Sequence, residues 1–192
     1  PVRRWEHGIA PHGTFVGSGE PAPGGFRRSA PRLQNAVMIR IALFQPDIAQ
    51  NTGTLLRLAA CLGLTVDIVE PAGFPVSDKS FRRSGMDYLD HVAWKRHDDF
   101  AAFEGWRVAE ERRLVLMTTR AALPYPAFAF RAGDVVMAGR ESAGVPDEVH
   151  AAADARILIP MRPGLRSLNV AVSVAMVAGE ALRQLGAFPA PA

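Results

Sequence analysis

The chain has 192 residues, 48% of them hydrophobic, which suits one domain of the α/β type with a core of its own. No apolar run approaches the roughly 20 residues that a bilayer span needs, the first residues lack the apolar stretch of a secretory leader, and one cysteine, Cys61, excludes an intramolecular disulfide; the cytoplasm is the expected compartment. The net charge of +3 comes from 22 basic and 19 acidic residues, but five of the former and two of the latter fall within 1–37, so the remainder balances and any nucleic-acid surface must be a local patch.

Residues 1–37 are rich in Pro and Gly and show no apolar period, so they are expected to form a disordered extension. Met38 reads as a functional start. Residues 38–186 then form the expected domain, with 187–192 as a tail. The first strand signal is 39–44 (IRIALF), followed by a helical pattern at about 52–62 with Asn51 as its N-cap, Gly63 just past its end and Cys61 as a small core residue. A strand follows at 65–69, a helix at about 98–105, strands at 113–118 and 134–138, a helix at 146–152, a strand at 156–159 and a long helix at 168–185. The strands are near-continuous runs of Val, Ile and Leu set between helices. That pattern predicts a mostly parallel sheet covered by helices on both faces.

In such sheets ligands lie beyond the carboxyl ends of the strands. The segments that follow the strands are "QPDIAQNTGTLLR", "TTRAALP", "GRESAGVP" and "PMRPGLRSLN", and they hold most of the Gly, Asn, Arg and Glu that a polar ligand could use. They contain neither G-x-G-x-x-G nor G-x-x-x-x-G-K-[ST], which disfavours a dinucleotide fold and a P-loop NTPase. The histidines at 7, 12, 91, 97 and 150 lack metal-ligand spacing, so no metal is expected. Ser142 stands in "GRESAG", outside a G-x-S-x-G nucleophile elbow.

Three stretches in order, "NTGTLLRLAACLG", "MAGRESAGVP" and "IPMRPGLRSLNVAVSVAM", resemble the motifs of the SpoU branch of the SPOUT RNA 2′-O-methyltransferases. A further stretch, "EPAGFPVSDKSFRRSGMDY", is similar to a segment of the small single-domain members that act at the tRNA wobble position, cytidine or uridine 34. The resemblance covers 38–186. It implies an α/β fold with a C-terminal trefoil knot, S-adenosylmethionine as cofactor, tRNA as substrate, and a homodimer formed through the last helix. It places Met117, Gly139, Ile159, Ser167 and Leu168 at the cofactor, largely through backbone groups. Asn51, Arg57, Glu141, Ser167 and Asn169 match its catalytic positions, and Asn169 caps the last helix or orients the loop.

The family proposal makes the arginine at position 57 a base. A guanidinium stays protonated in proteins, so a fixed cation that stabilises developing alkoxide is the better role. Glu141 is expected to brace its loop or a catalytic cation. Arg140 departs from the wobble enzymes, which often carry proline there. Lys79, Arg82, Arg83 and Arg166 form the expected RNA surface, the first three sharing one helical face. The alternatives are 2′-O-methylation elsewhere in tRNA or in ribosomal RNA, or a non-catalytic RNA-binding protein that retains the fold.

Overall fold

The structure, a computed structural model, describes residues 38–77, 79, 81, 89–165 and 167–190. Its strands are β1 Arg40–Phe44, β2 Thr65–Val69, β3 Ala93–His97, β4 Leu114–Met117, β5 Leu123–Pro124, β6 Val135–Ala138 and β7 Ala155–Leu158. The helices α1 Ala49–Leu62, α2 Phe100–Ala109, α3 Asp147–Ala152 and α4 Val170–Leu185 alternate with them. All strand pairs are parallel, and the sheet runs in the order β3-β2-β1-β6-β4-β7-β5.

Side chains alternate between two cores, as the period of an extended strand requires. Ile41 and Leu43 of β1 join the core under α1 and α4, whereas Ala42 and Phe44 join the core under α2 and α3. On β6, Val136 and Ala138 face the first core and Val135 and Met137 the second. A strand buried on both faces shows no polar alternation, which is why these runs read as strands from sequence.

The two unexpected strands lie at the edges of the sheet. β3 reads AWKRH, with Lys95 and Arg96 exposed; charges on an edge strand discourage pairing with another chain but also hide the strand signal. β5 has only two residues, and its Pro124 is tolerated because an edge position needs no N–H donor there. The anticipated helix at 98–105 lies at 100–109, capped by Asp99, whose Oδ1 accepts from the Ala102 N–H at 2.7 Å.

Three expectations about α1 meet different outcomes. Gly63 ends the helix as anticipated, with φ 68° in the left-handed region that glycine adopts without strain. Asn51 is not the cap, because the helix begins at Ala49 after Ile48 and its first turn makes no side-chain cap. Cys61 is exposed rather than buried, since the apolar face of α1 runs through Leu55, Leu56 and Ala59. The last helix starts at Val170, and Asn169 does cap it. Its Ala171, Val174, Ala178 and Ala181 are buried in the core shared with α1, so the small-residue face packs within the chain.

The order of strands reverses at β1, with β2 on one side and β6 on the other. Adjacent chain ends diverge at such a point and leave a crevice at the carboxyl edge. The loops after β1, β6, β4 and β7, four neighbours in the sheet, open into that crevice.

Candidate active site

The loop after β6 closes on itself. Arg140 and Gly144 exchange two backbone hydrogen bonds of 2.9 Å each, and Gly144 turns the chain at φ 69°. Gly139 sits against this turn so closely that a Cβ there would lie 2.7 Å from the Gly144 carbonyl carbon, below any real contact. The turn thus requires glycine at 139 and favours it at 144.

A chain of polar contacts ties this turn to the two other loops. Glu141 Oε2 accepts from the Asp47 backbone N–H at 2.9 Å, and its Oε1 accepts from Asn51 Nδ2 at 3.1 Å. Asn51 Oδ1 accepts from Asn169 Nδ2 at 3.0 Å. Asn169 Oδ1 then accepts from the Ala171 and Val172 N–H groups at 2.8 and 3.3 Å, which caps α4. The direction of this chain is forced. A carboxylate at one end only accepts, the helix N–H groups at the other only donate, and one orientation of each amide satisfies both. Asn51 is therefore a link between loops, and Glu141 braces an amide and a backbone N–H. No cation contacts the Glu141 carboxylate among these bonds.

Asp47 reinforces the same junction. Its Oδ1 accepts from Arg140 Nε and Nη2 at 3.2 and 2.9 Å, and its Oδ2 accepts from the Ser142 N–H at 3.1 Å and from the Ser142 hydroxyl. The Ser142 hydroxyl first, and the Arg140 guanidinium next, hold the Asp47 carboxyl below the usual carboxylate range. Arg140, the departure from the family pattern, thus has a defined partner, and its Nη1 also reaches Gln45 Oε1 at 3.4 Å.

These loops enclose a cleft of about 640 Å³, within the roughly 300–1,000 Å³ of small-molecule sites. Met117, Ile157, Ile159, Leu168 and Val177 supply its apolar lining, and Asn51, Thr118, Thr119, Glu141, Ser167, Asn169 and Ser173 its polar groups. Apolar surface beside a few fixed polar groups fits a nucleoside, whose base is flat and weakly polar while its edges and ribose seek hydrogen bonds. All five anticipated cofactor positions, Met117, Gly139, Ile159, Ser167 and Leu168, line the cleft. So do Asn51, Glu141, Ser167 and Asn169.

Arg57 is not part of that lining; it is exposed on α1, six residues beyond Asn51. Of the anticipated RNA surface, Lys79 is exposed, and Arg82, Arg83 and Arg166 lie outside the described residues, as do residues 1–37. Sequence reasoning missed Asp47 and Ser173, whereas Thr118 and Thr119 stand in the "TTRAALP" segment expected to face a ligand. The signal for Asp47 was its place three residues past the end of β1, where a switch-point loop would carry polar groups. Among the described residues, no group of three or more His, Cys, Asp or Glu could hold a metal ion, and no helix is long and apolar enough to cross a membrane.

Fold and cleft together define an open, parallel α/β protein with a cleft of small-ligand size between the loops of its strand carboxyl ends. The chain belongs to the SpoU rRNA Methylase family, whose model matches residues 38–179. A relative from Beijerinckia indica subsp. indica, named tRNA (cytidine(34)-2'-O)-methyltransferase, is 64% identical over 148 residues, covering 77% of this chain and 92% of its own. One of the same name from Escherichia coli (strain K12) is 40% identical over 151 residues, or 78% of this chain and 95% of its own. A solved structure described as "Structural insights into the 2-OH methylation of C/U34 on tRNA" matches with TM-score 0.72 at 39% identity, covering 79% of this chain and 98% of its own. An AdoMet-bound rRNA methyltransferase from Sinorhizobium meliloti matches with TM-score 0.64 at 26% identity, covering 77% of this chain and 57% of its own.

Proposed function

We propose that this chain is an S-adenosylmethionine-dependent tRNA 2′-O-methyltransferase acting on the ribose of the wobble nucleotide, cytidine or uridine 34. The observation that carries this reading is the cleft joined by Glu141, Asn51 and Asn169, in a chain 64% identical to a relative named for that reaction. S-adenosylmethionine, when bound, supplies an electrophilic methyl group on its sulfonium. Met117, Gly139, Ile159, Ser167 and Leu168 would hold it, the glycine through its backbone and the aliphatic residues by covering the base.

Methyl transfer would break the sulfonium S–CH3 bond, leaving S-adenosylhomocysteine, and form the 2′-O–CH3 bond, while the ribose 2′-hydroxyl proton would pass to solvent water. Arg57 is assigned the fixed positive charge that stabilises the 2′ oxygen and orients the neighbouring phosphate. Ser167 and Asn169 present polar groups at the mouth of the cleft. Lys79, Arg82, Arg83 and Arg166 are assigned to RNA phosphates.

The working unit in this reading is a homodimer. Val172 and Met176, four apart on α4, are 51% and 38% exposed. Such a pair supports contact with a second copy. The C-terminal segment is read as a trefoil knot, supported by the way residues 167–169 reach the cleft beside the loop after β6. The enzyme domain is taken as 38–186 and its compartment as the cytoplasm. Mass spectrometry of tRNA from a deletion strain, with and without the restored gene, tests the function. Methyl groups that disappear from and return to a nucleotide other than 34, in tRNA or ribosomal RNA, would move the assignment to that site.

A further inference from the structure

Asp47 stands outside the residues assigned to chemistry, yet it contacts three consecutive residues of the turn after β6. Its carboxylate takes the Arg140 guanidinium and both donors of Ser142, and its own N–H serves Glu141. Its backbone is fixed from behind. Gly73 donates to the Pro46 carbonyl at 2.9 Å, and a Cβ on Gly73 would lie 2.9 Å from the Asp47 carbonyl oxygen. The residue is held rigidly on the β1 side and grips the turn on the other.

We propose that Asp47 is a positioning residue for the cofactor cleft: by clamping Arg140 and Ser142 it holds Gly139 and Glu141 in the arrangement that binds S-adenosylmethionine. The inference rests on the cofactor reading above. The turn contributes Gly139, Arg140, Glu141 and Gly144 to the lining, so a released turn would have to be ordered again on each binding event, which lowers affinity. Both oxygens of Asp47 accept two bonds. An amide in its place keeps one acceptor and aims a donor at either the guanidinium or the Ser142 N–H.

The test is calorimetry with S-adenosylhomocysteine, alongside steady-state methylation of tRNA. Asp47→Asn is expected to bind about tenfold more weakly, the factor for one charge-assisted hydrogen bond. Arg140→Met should weaken binding in the same direction, and the double variant no further than Asp47→Asn, because both cut one clamp. The KM for tRNA should stay at the wild-type value, and Asp47→Glu should recover most of the affinity. Ser142→Ala, an exposed change that removes a single arm, gives a smaller loss of the same kind and serves if Asp47→Asn fails to fold. Wild-type affinity in folded Asp47→Asn, or losses that multiply in the double variant, would overturn the clamp alone. Absence of binding by the wild type would overturn the cofactor reading and the clamp with it.

Discussion

Asn169→Asp separates the two duties of Asn169. The side-chain oxygen caps α4 through Ala171 and Val172, while Nδ2 donates to Asn51. Aspartate equals asparagine as an N-cap, and a negative charge at a helix N-terminus adds about 0.3–1 kcal/mol. The capping contribution to stability should therefore stay within about 0.5 kcal/mol of wild type, or rise slightly. The link to Asn51 fails, however. The new oxygen meets Asn51 Oδ1, and rotating the Asn51 amide only turns that oxygen onto Glu141 Oε1. One hydrogen bond between neutral amides, about 0.5–1.5 kcal/mol, is lost, which corresponds to roughly two- to tenfold in kcat/KM if the full value reaches the transition state. Asn169→Ala should lose the link and also the cap, about 1 kcal/mol, and so melt roughly 2–4 °C lower. Thermal unfolding and methylation of tRNA with saturating S-adenosylmethionine measure the two effects. Full kcat/KM in Asn169→Asp would refute the forced direction of the amide chain, and equal melting of the two variants would refute the capping argument.

Arg57→Ala should lower the saturated rate at least about a hundredfold, the scale of one lost transition-state donor, with much less effect on tRNA affinity; full turnover in single-turnover kinetics would remove Arg57 from the reaction centre. Arg82→Ala with Arg83→Ala should weaken tRNA binding and reduce its salt dependence by up to about two units of slope, roughly 0.7–0.9 per phosphate; normal binding at every salt concentration would dismiss that RNA surface. Burial, aided by the nearby Arg120, pushes the His150 imidazole below its ordinary value. The unfolded chain then binds the extra proton first, so stability should rise with pH below about 6.5 and level off above it. Chemical denaturation across pH 5–8 checks this, with His150→Gln expected to flatten the curve in that window and an unchanged slope counting against the assignment.

The sequence by itself determined the central strands β1, β2, β4, β6 and β7, of which β1, β4 and β6 are buried on both faces and so read as nearly continuous apolar runs. It also determined the turn at Gly63 and offered Asn169 as a cap, both from neighbours along the chain. The residues its motifs named as cofactor positions stand on separate loops and line one cleft. Edge strands were less legible: β3 carries Lys95 and Arg96 where a buried strand would carry aliphatics. Asn51 looked like a cap because its residue type and local position both allowed one, and Cys61 looked buried because α1 could have turned either way. Only the tertiary structure decided these points. The partners that define Asn51, Glu141 and Asp47 are joined across separations of 90, 94 and 118 residues, and a polar side chain's role depends on whichever donors and acceptors the folded sheet brings within about 3 Å of it.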